Sequence, residues 1–363
     1  MKKLLIVFLL TLFFVPTSEK MYGKSLTREF IFAKNIPGEN NDPTTPLNLK
    51  VYKSLGLGIN TDGIFSRDKS GQLTVNYTNE DFAIIKKAGF KHVRVLIRVP
   101  LMNESKPDSI SLNDIKVIKK VLDEILKNKL MVVFNPVHAS KEFKKRLEDE
   151  PLLQASFIKF WGALAANFSS YDPNRFLVEP FNEPHFVSTE SWNHLQDQLI
   201  AEIRKVLPKH TLVVTPVTET IAAITAFKPV KDKNVIYTFH YYLPFELTHQ
   251  GASWTWKSFP AGYTYPNKDW NIERMKSEYF EPLHKWAQTN DIKLYGGEYG
   301  VIRNADKESR LKWFTDAEKM IKEYNYPSAV WEFKKGDFSI LQLSTDPSSP
   351  LQFDKDILKA LGL

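Results

Sequence analysis

A single closed (β/α)8 barrel, the TIM barrel of the α/β class, is what this 363-residue sequence predicts, and three observations predict it. Short β-branched runs alternate with amphipathic helical stretches from about Leu55 to the C-terminus, the pattern of parallel βαβ units. There are eight such runs, more than an open doubly wound sheet usually holds. No Gly-x-Gly-x-x-Gly or phosphate-binding loop follows the first run, which argues against an open nucleotide-binding sheet.

The elements follow in order. Gly56–Asn60 reads as the first strand. The stretch from Thr78 to Phe90 opens on capping-type residues and ends at Gly89, as a helix should. His92–Ile97 is the second strand, and Ile115, Ile118, Val121, Leu122, Ile125 and Leu126 recur at helical spacing behind it. Leu130–Pro136 and Arg175–Phe181 are the third and fourth strands. Trp192, Leu195, Leu199, Ile203 and Val206 mark another helix before the fifth, Thr211–Thr215. Val235–His240 is the sixth, and the longest connection runs from Tyr241 to about Asp269. Ile292–Glu298 and Ala329–Phe333 complete the set.

Ahead of the barrel, Lys2 and Lys3 precede an apolar run from Leu4 to Val15 that Pro16 closes. This twelve-residue stretch, apolar except for Thr11, is too short to span a bilayer comfortably and suits a signal peptide. Residues 1–24 are therefore expected to be a leader, 25–50 an extension packing across the bottom of the barrel, and 51–363 the barrel itself. The expected location is secreted or periplasmic, with no membrane association after leader removal.

The balance of 49 Lys+Arg against 42 Asp+Glu gives +7, spread along the chain without a basic tract or a nucleic-acid module. No nucleic-acid partner is expected, and nothing demands more than a monomer. With no cysteine, disulfides, thiolate metal sites and a cysteine nucleophile are excluded. Aromatic residues are 13% of the chain, and Trp254, Trp256, Phe259, Tyr263, Tyr265 and Trp270 crowd the connection after the sixth strand. Stacked rings recognise the apolar face of a sugar without charge. The alternative is that they pack the loop onto the barrel.

Reactive side chains of such barrels project from the C-terminal ends of strands. The fourth run leads into Asn182-Glu183-Pro184, and the seventh ends in Gly296-Gly297-Glu298. Two carboxylates thus face one mouth, and glycoside cleavage needs two carboxyl groups flanking the scissile bond. Arg94, His138, His240, Tyr242 and Trp331 stand at other strand ends. Each alone has a structural reading, as a rim ion pair, a satisfied buried histidine or a core ring.

The set resembles glycoside hydrolase family 5, the cellulase family, over roughly Leu55 to Leu363. The marks are Asn-Glu-Pro at 182–184, His-x-Tyr at 240–242, Gly-Glu-Tyr-Gly at 297–300 and Trp-Glu-Phe at 331–333. The run from Pro244 to Trp254 looks like a loop of bacterial cellulase-like members. The resemblance implies a retaining enzyme, with Glu183 as acid/base and Glu298 as nucleophile. It implies further that Asn182 bonds the sugar 2-hydroxyl and that Arg94 and Tyr242 hold Glu298 ionised and oriented. His240 would lie near Glu183, His138 would contact the sugar, and Trp331 would floor the same subsite. Trp254 is the best single candidate for a stacking platform, with Lys334 and Asp337 weaker sugar contacts.

The expected reaction is hydrolysis of β-1,4 bonds in a polysaccharide or oligosaccharide, foremost in cellulose, with no metal and no cofactor. β-Mannan and mixed-linkage or β-1,3-glucan remain alternative substrates on the same catalytic set. A carbohydrate-binding barrel without activity is the rival from another class, but a binder has no need of a nucleophile. A metal-dependent hydrolase would need clustered ligands, and the sequence has no His-x-His pair and no His-Glu-x-x-His.

Overall fold

Eight parallel strands, each buried along most of its length, close into a barrel in chain order. They are β1 (Leu57–Thr61), β2 (His92–Ile97), β3 (Met131–Pro136), β4 (Phe176–Val178), β5 (Leu212–Val214), β6 (Val235–Tyr241), β7 (Leu294–Tyr299) and β8 (Ser328–Val330), with β8 pairing back onto β1. The computed structural model describes residues 47–136, 140–217, 220–334, 336–343, 346 and 349–363. The strands read as continuous apolar runs because both faces are covered, the inner by the opposite wall and the outer by helices. β2 and β3 pair residue for residue from His92↔Met131 to Ile97↔Pro136.

Two apolar layers result. Inside the barrel Met131, Val133, Leu177, Val213, Ile236, Tyr295 and Ala329 pack together with Val51 and Leu55. Those last two come from the helix Leu47–Leu55, so an amphipathic turn plugs the lower end. This helix runs across residue 51, where the sequence reading placed a domain boundary. Outside the barrel, helices such as Leu112–Lys127, Pro151–Ala166, Thr189–Arg204 and Lys307–Glu323 cover the sheet. The buried residues of the first, Ile115, Ile118, Val121, Leu122 and Ile125, recur every three or four positions. At the helix Asn79–Lys87, the Thr78 N–H donates to Asp81 Oδ2 at 2.7 Å and so caps the first turn.

Two features were not expected. A two-stranded antiparallel hairpin, Phe65–Arg67 with Leu73–Val75, follows β1. β4, β5 and β8 are also shorter than their apolar runs: past Val178 the chain meets Pro180, which has no N–H to give a ladder. Among the described residues, no helix is long and apolar enough to cross a membrane.

Candidate active site

Residues two apart along a barrel strand share its inner face. Leu177 of β4 lies in the barrel interior, so Glu179, two residues on, faces the mouth of the barrel and is fully buried there. Beyond it the chain turns sharply. Glu183 and His185 both have φ of +48°, a left-handed conformation that costs a non-glycine residue about 1 kcal/mol or more. Two hydrogen bonds hold this turn: Lys144 Nζ donates to the Glu183 carbonyl at 2.6 Å, and His185 N–H donates to the Val217 carbonyl at 3.0 Å.

β7 interrupts the alternation. Phe239 of β6 pairs with Gly296, but His240 pairs with Glu298, so Gly297 is an extra residue, a β-bulge. Tyr295 lies on the inner face, and unbroken alternation would have turned Glu298 outward toward the helices. The bulge turns it inward. No side chain fits at the bulge, because a Cβ on Gly297 would lie 2.3 Å from Thr238 Oγ1. Asn60 Nδ2 pins the arrangement by donating to the carbonyls of Gly297 at 2.9 Å and Ala329 at 3.1 Å.

Arg94, at the centre, has no exposed surface, and each of its five N–H groups has an acceptor. Nε and Nη2 form a two-pronged pair with the Glu179 carboxylate at 2.7 Å each. Nη1 donates to Asn60 Oδ1 at 2.9 Å and to Glu298 Oε1 at 2.6 Å, and Nη2 also reaches Asn182 Oδ1 at 2.7 Å. The guanidinium is thus fixed in position and angle, and with it two groups at the mouth. Tyr242 OH donates to the other oxygen of Glu298 at 3.0 Å. With its oxygen accepting from Arg94, Asn182 has its NH2 as the remaining hydrogen-bonding group of the amide.

Glu183 has a different environment. Its side chain is 23% exposed against 6% for Glu298, and its Oε1 lies 2.8 Å from His240 Nδ1. Burial alone would push the His240 pKa down, but the charge of Glu298 and the hydrogen bond to Glu183 outweigh it, and the net shift is upward. One oxygen each of Glu183 and Glu298 and a His240 nitrogen lie within 4.8 Å of one another. That spacing suits carboxyl groups about 5 Å apart, the arrangement of retaining glycosidases, and is too short for the roughly 6.5–9.5 Å of inverting ones.

Trp331 packs with Leu96, Tyr242, Ile302 and Phe338 beside this centre, and the Arg98 guanidinium lies 5.8 Å from its ring. Trp254 stands farther out. The residue is 57% exposed, and its ring meets His249 edge-on at 5.5 Å and is anchored by Nε1–H donating to Asp337 at 2.9 Å. His249 in turn abuts Tyr242 at 5.3 Å. Trp256 is also exposed, whereas Phe259, Tyr265 and Trp270 are buried and pack the loop onto the barrel. Lys334 is engaged in an ion pair with Asp81 at 2.6 Å. His138 lies outside the described residues.

Three participants were not singled out by the sequence, Asn60, Glu179 and Lys144, and Glu332 was marked only as part of Trp-Glu-Phe. Glu332 is buried, and first its burial, then the charge of Asp62, raise its pKa to about 9. It is therefore a neutral acid at neutral pH. The signal for Glu179 was present: a carboxylate two residues after an inward Leu177 needs a cation, and Arg94 is the inward cation two strands away.

Comparison with known proteins places this geometry. The cellulase family, glycosyl hydrolase family 5, matches residues 57–337. Endoglucanase C of Acetivibrio thermocellus is 27% identical over 339 residues, covering 84% of this chain and 96% of that protein. Cellodextrinase A of Ruminococcus flavefaciens is 30% identical over 301 residues, covering 76% and 84%. The structure of Thermotoga maritima Cel5A with cellobiose superposes with a TM-score of 0.76 at 30% identity, over 87% of this chain and 100% of that one. Its mannotriose complex gives 0.75 at 31%, with the same coverage. The chain belongs to glycosyl hydrolase family 5 and is a glycoside hydrolase.

Proposed function

We propose that this family 5 hydrolase is a retaining endo-β-1,4-glucanase acting on cellulose-type chains, exported to a secreted or periplasmic location. The observation that carries the reading is the asymmetric carboxyl pair. Glu298 is buried, with Arg94 and Tyr242 on its two oxygens, while the more exposed Glu183 is held by His240.

In the first half-reaction Glu298 attacks the anomeric carbon, and Glu183 gives its proton to the departing glycosidic oxygen. The products are a glycosyl ester on Glu298 and a shortened chain with a new hydroxyl. Forming the ester removes the negative charge of Glu298, and Glu183 is by then a carboxylate. It takes a proton from water, the hydroxide oxygen attacks the same carbon, and Glu298 leaves as carboxylate with the sugar's configuration retained. Asn182, with its oxygen on Arg94, presents its NH2 to the 2-hydroxyl, a contact that strengthens as the oxocarbenium-like transition state forms. Trp331 floors the subsite, and Trp254 stacks on a sugar farther along the cleft.

The endoglucanase name of one relative and the cellobiose complex of another support glucan as substrate. A second reading, β-mannan, is favoured by the mannotriose complex of that structural relative. The test is reducing-sugar release from carboxymethyl cellulose, β-mannan and mixed-linkage glucan by the protein and by Glu298→Ala. Fastest release from carboxymethyl cellulose, lost in the variant, is the expected result. Mannan as the sole substrate would replace the glucanase reading, and no release from any of the three would overturn both.

A further inference from the structure

Against Glu183 and the β6 residues Thr238–His240 is a small cavity of about 10 Å³. Its walls include Glu183, Thr215, Thr238 and His240 with the apolar Pro216 and Ile224. That is about the space one water molecule requires. Two buried polar atoms belong to these walls, Thr238 Oγ1 and His240 Nε2, and neither has a hydrogen-bond partner among the described residues. Gly297 shows how close together they are, since a Cβ there would meet Thr238 Oγ1 at 2.3 Å and His240 Nε2 at 3.2 Å. A single water can bridge atoms so placed at ordinary hydrogen-bond lengths of about 2.8 Å. The Thr215 hydroxyl, whose proton is committed to the Phe181 carbonyl at 2.8 Å, can accept a third bond.

We propose that one water, held between Thr238 Oγ1 and His240 Nε2, belongs to the acid/base unit, and that Thr238 is a positioning residue acting through it. This rests on the assignment of Glu183 as acid/base. A buried imidazole needs a partner on each nitrogen, and the one it has on Nε2 decides which protonation states it can adopt. His240 Nδ1 serves Glu183, which must be an acid in one half-reaction and a base in the other. A carbonyl at Nε2 would favour only the protonated nitrogen, and an amide N–H only the bare one. A water joined to a rotatable hydroxyl serves both, donating to a bare Nε2 and accepting from Nε2–H. His240 can then change protonation as Glu183 does, without leaving a buried polar atom unpaired. Glu183, Glu298 and Arg94 are the charged groups that face the imidazole, and His185 stands farther along the Glu183 turn.

The test combines a crystal structure with ¹⁵N NMR of His240 in the whole protein, beside Thr238→Val and Thr238→Ser. The wild type should show one ordered water within hydrogen-bond distance of both atoms. Thr238→Val should lose it. The cationic imidazole then has one solvating partner fewer, so the His240 pKa should fall by roughly 0.5–1 unit. The basic limb of the kcat/KM profile should move in the same direction. Thr238→Ser should keep the water and the pKa. No water in the wild type would overturn the proposal, as would an unshifted His240 in a folded Thr238→Val. If the valine variant does not fold, the wild-type water and the serine variant's pKa decide alone. The water and the pKa are read without substrate, so their outcome is separable from failure of the glucanase reading.

Discussion

Replacing Glu179 by glutamine probes the link between the barrel core and the chemistry at its mouth. Glutamine has nearly the same shape but offers one acceptor where the carboxylate offers two, and it turns an N–H2 toward an Arg94 N–H. Both Glu179 oxygens now accept from Arg94 at 2.7 Å with no exposure to solvent. Breaking a buried pair by removing one partner costs about 3–5 kcal/mol. Glu298 remains as a counter-charge for Arg94, so the lower end of that range applies, and the melting temperature should fall by roughly 5–10 °C. Activity should fall as well. The guanidinium that slips is the one donating to Glu298 Oε1 and to Asn182 Oδ1. Weakening one such charged hydrogen bond by about 1.5–3 kcal/mol corresponds to roughly 10–100-fold in kcat. Calorimetry and steady-state kinetics on a soluble β-glucan read the two effects separately. A variant with wild-type kcat and a melting temperature within about 1 °C would refute the claim that Glu179 anchors Arg94.

Other substitutions separate binding, acid positioning and buried charge. Trp254→Ala should raise KM about fivefold, the equivalent of roughly 1 kcal/mol of stacking, with little change in kcat, and an unchanged KM would remove Trp254 from the cleft. Lys144→Met removes the donor on the Glu183 carbonyl and should lower kcat about tenfold on an unactivated β-glucan. An aryl glycoside whose leaving group needs no proton should lose less than about twofold, and equal losses on both would count against a role in placing the acid. For Glu332 the sign follows from a folded pKa of about 9, above the ordinary carboxyl value of 4.5. Over that interval the folded state holds a proton that the unfolded state has lost, so wild-type stability declines as pH rises. Glu332→Gln, which mimics the neutral acid, should match the wild type near pH 5 and exceed its melting temperature at pH 9. A difference independent of pH would show that Glu332 is not held neutral.

The barrel was legible because its strands are buried on both faces. His92–Ile97 is a strand in sequence and in structure to the residue, since every position is buried and no turn residue interrupts it. The hairpin after β1 was not, because three-residue strands carry too little periodicity, although Asp68 and Gly71 mark its turn. At the site, the sequence singled out the residues at the mouth: Glu183, Glu298, Asn182, His240 and Tyr242. It missed those one layer deeper. Asn60 and Glu179 look like ordinary polar residues until Arg94 is seen to use all its donors on them and their neighbours. Lys144 is on a helix 39 residues before the carbonyl it holds, a distance no local pattern spans. Nor could spacing show that Glu298 faces inward, because strict alternation assigns it to the other face and only the Gly297 bulge reverses that.

Trapping the covalent intermediate tests the central claim most directly. A 2-deoxy-2-fluoro-β-cellobioside with an activated leaving group slows hydrolysis of the glycosyl ester more than its formation, so the sugar stays where the nucleophile put it. The account predicts time-dependent inactivation, a mass increase of one fluorinated disaccharide, and a single labelled peptide carrying it on Glu298. A label on any other residue, or turnover of a β-1,4-glucan with inverted configuration, would contradict it.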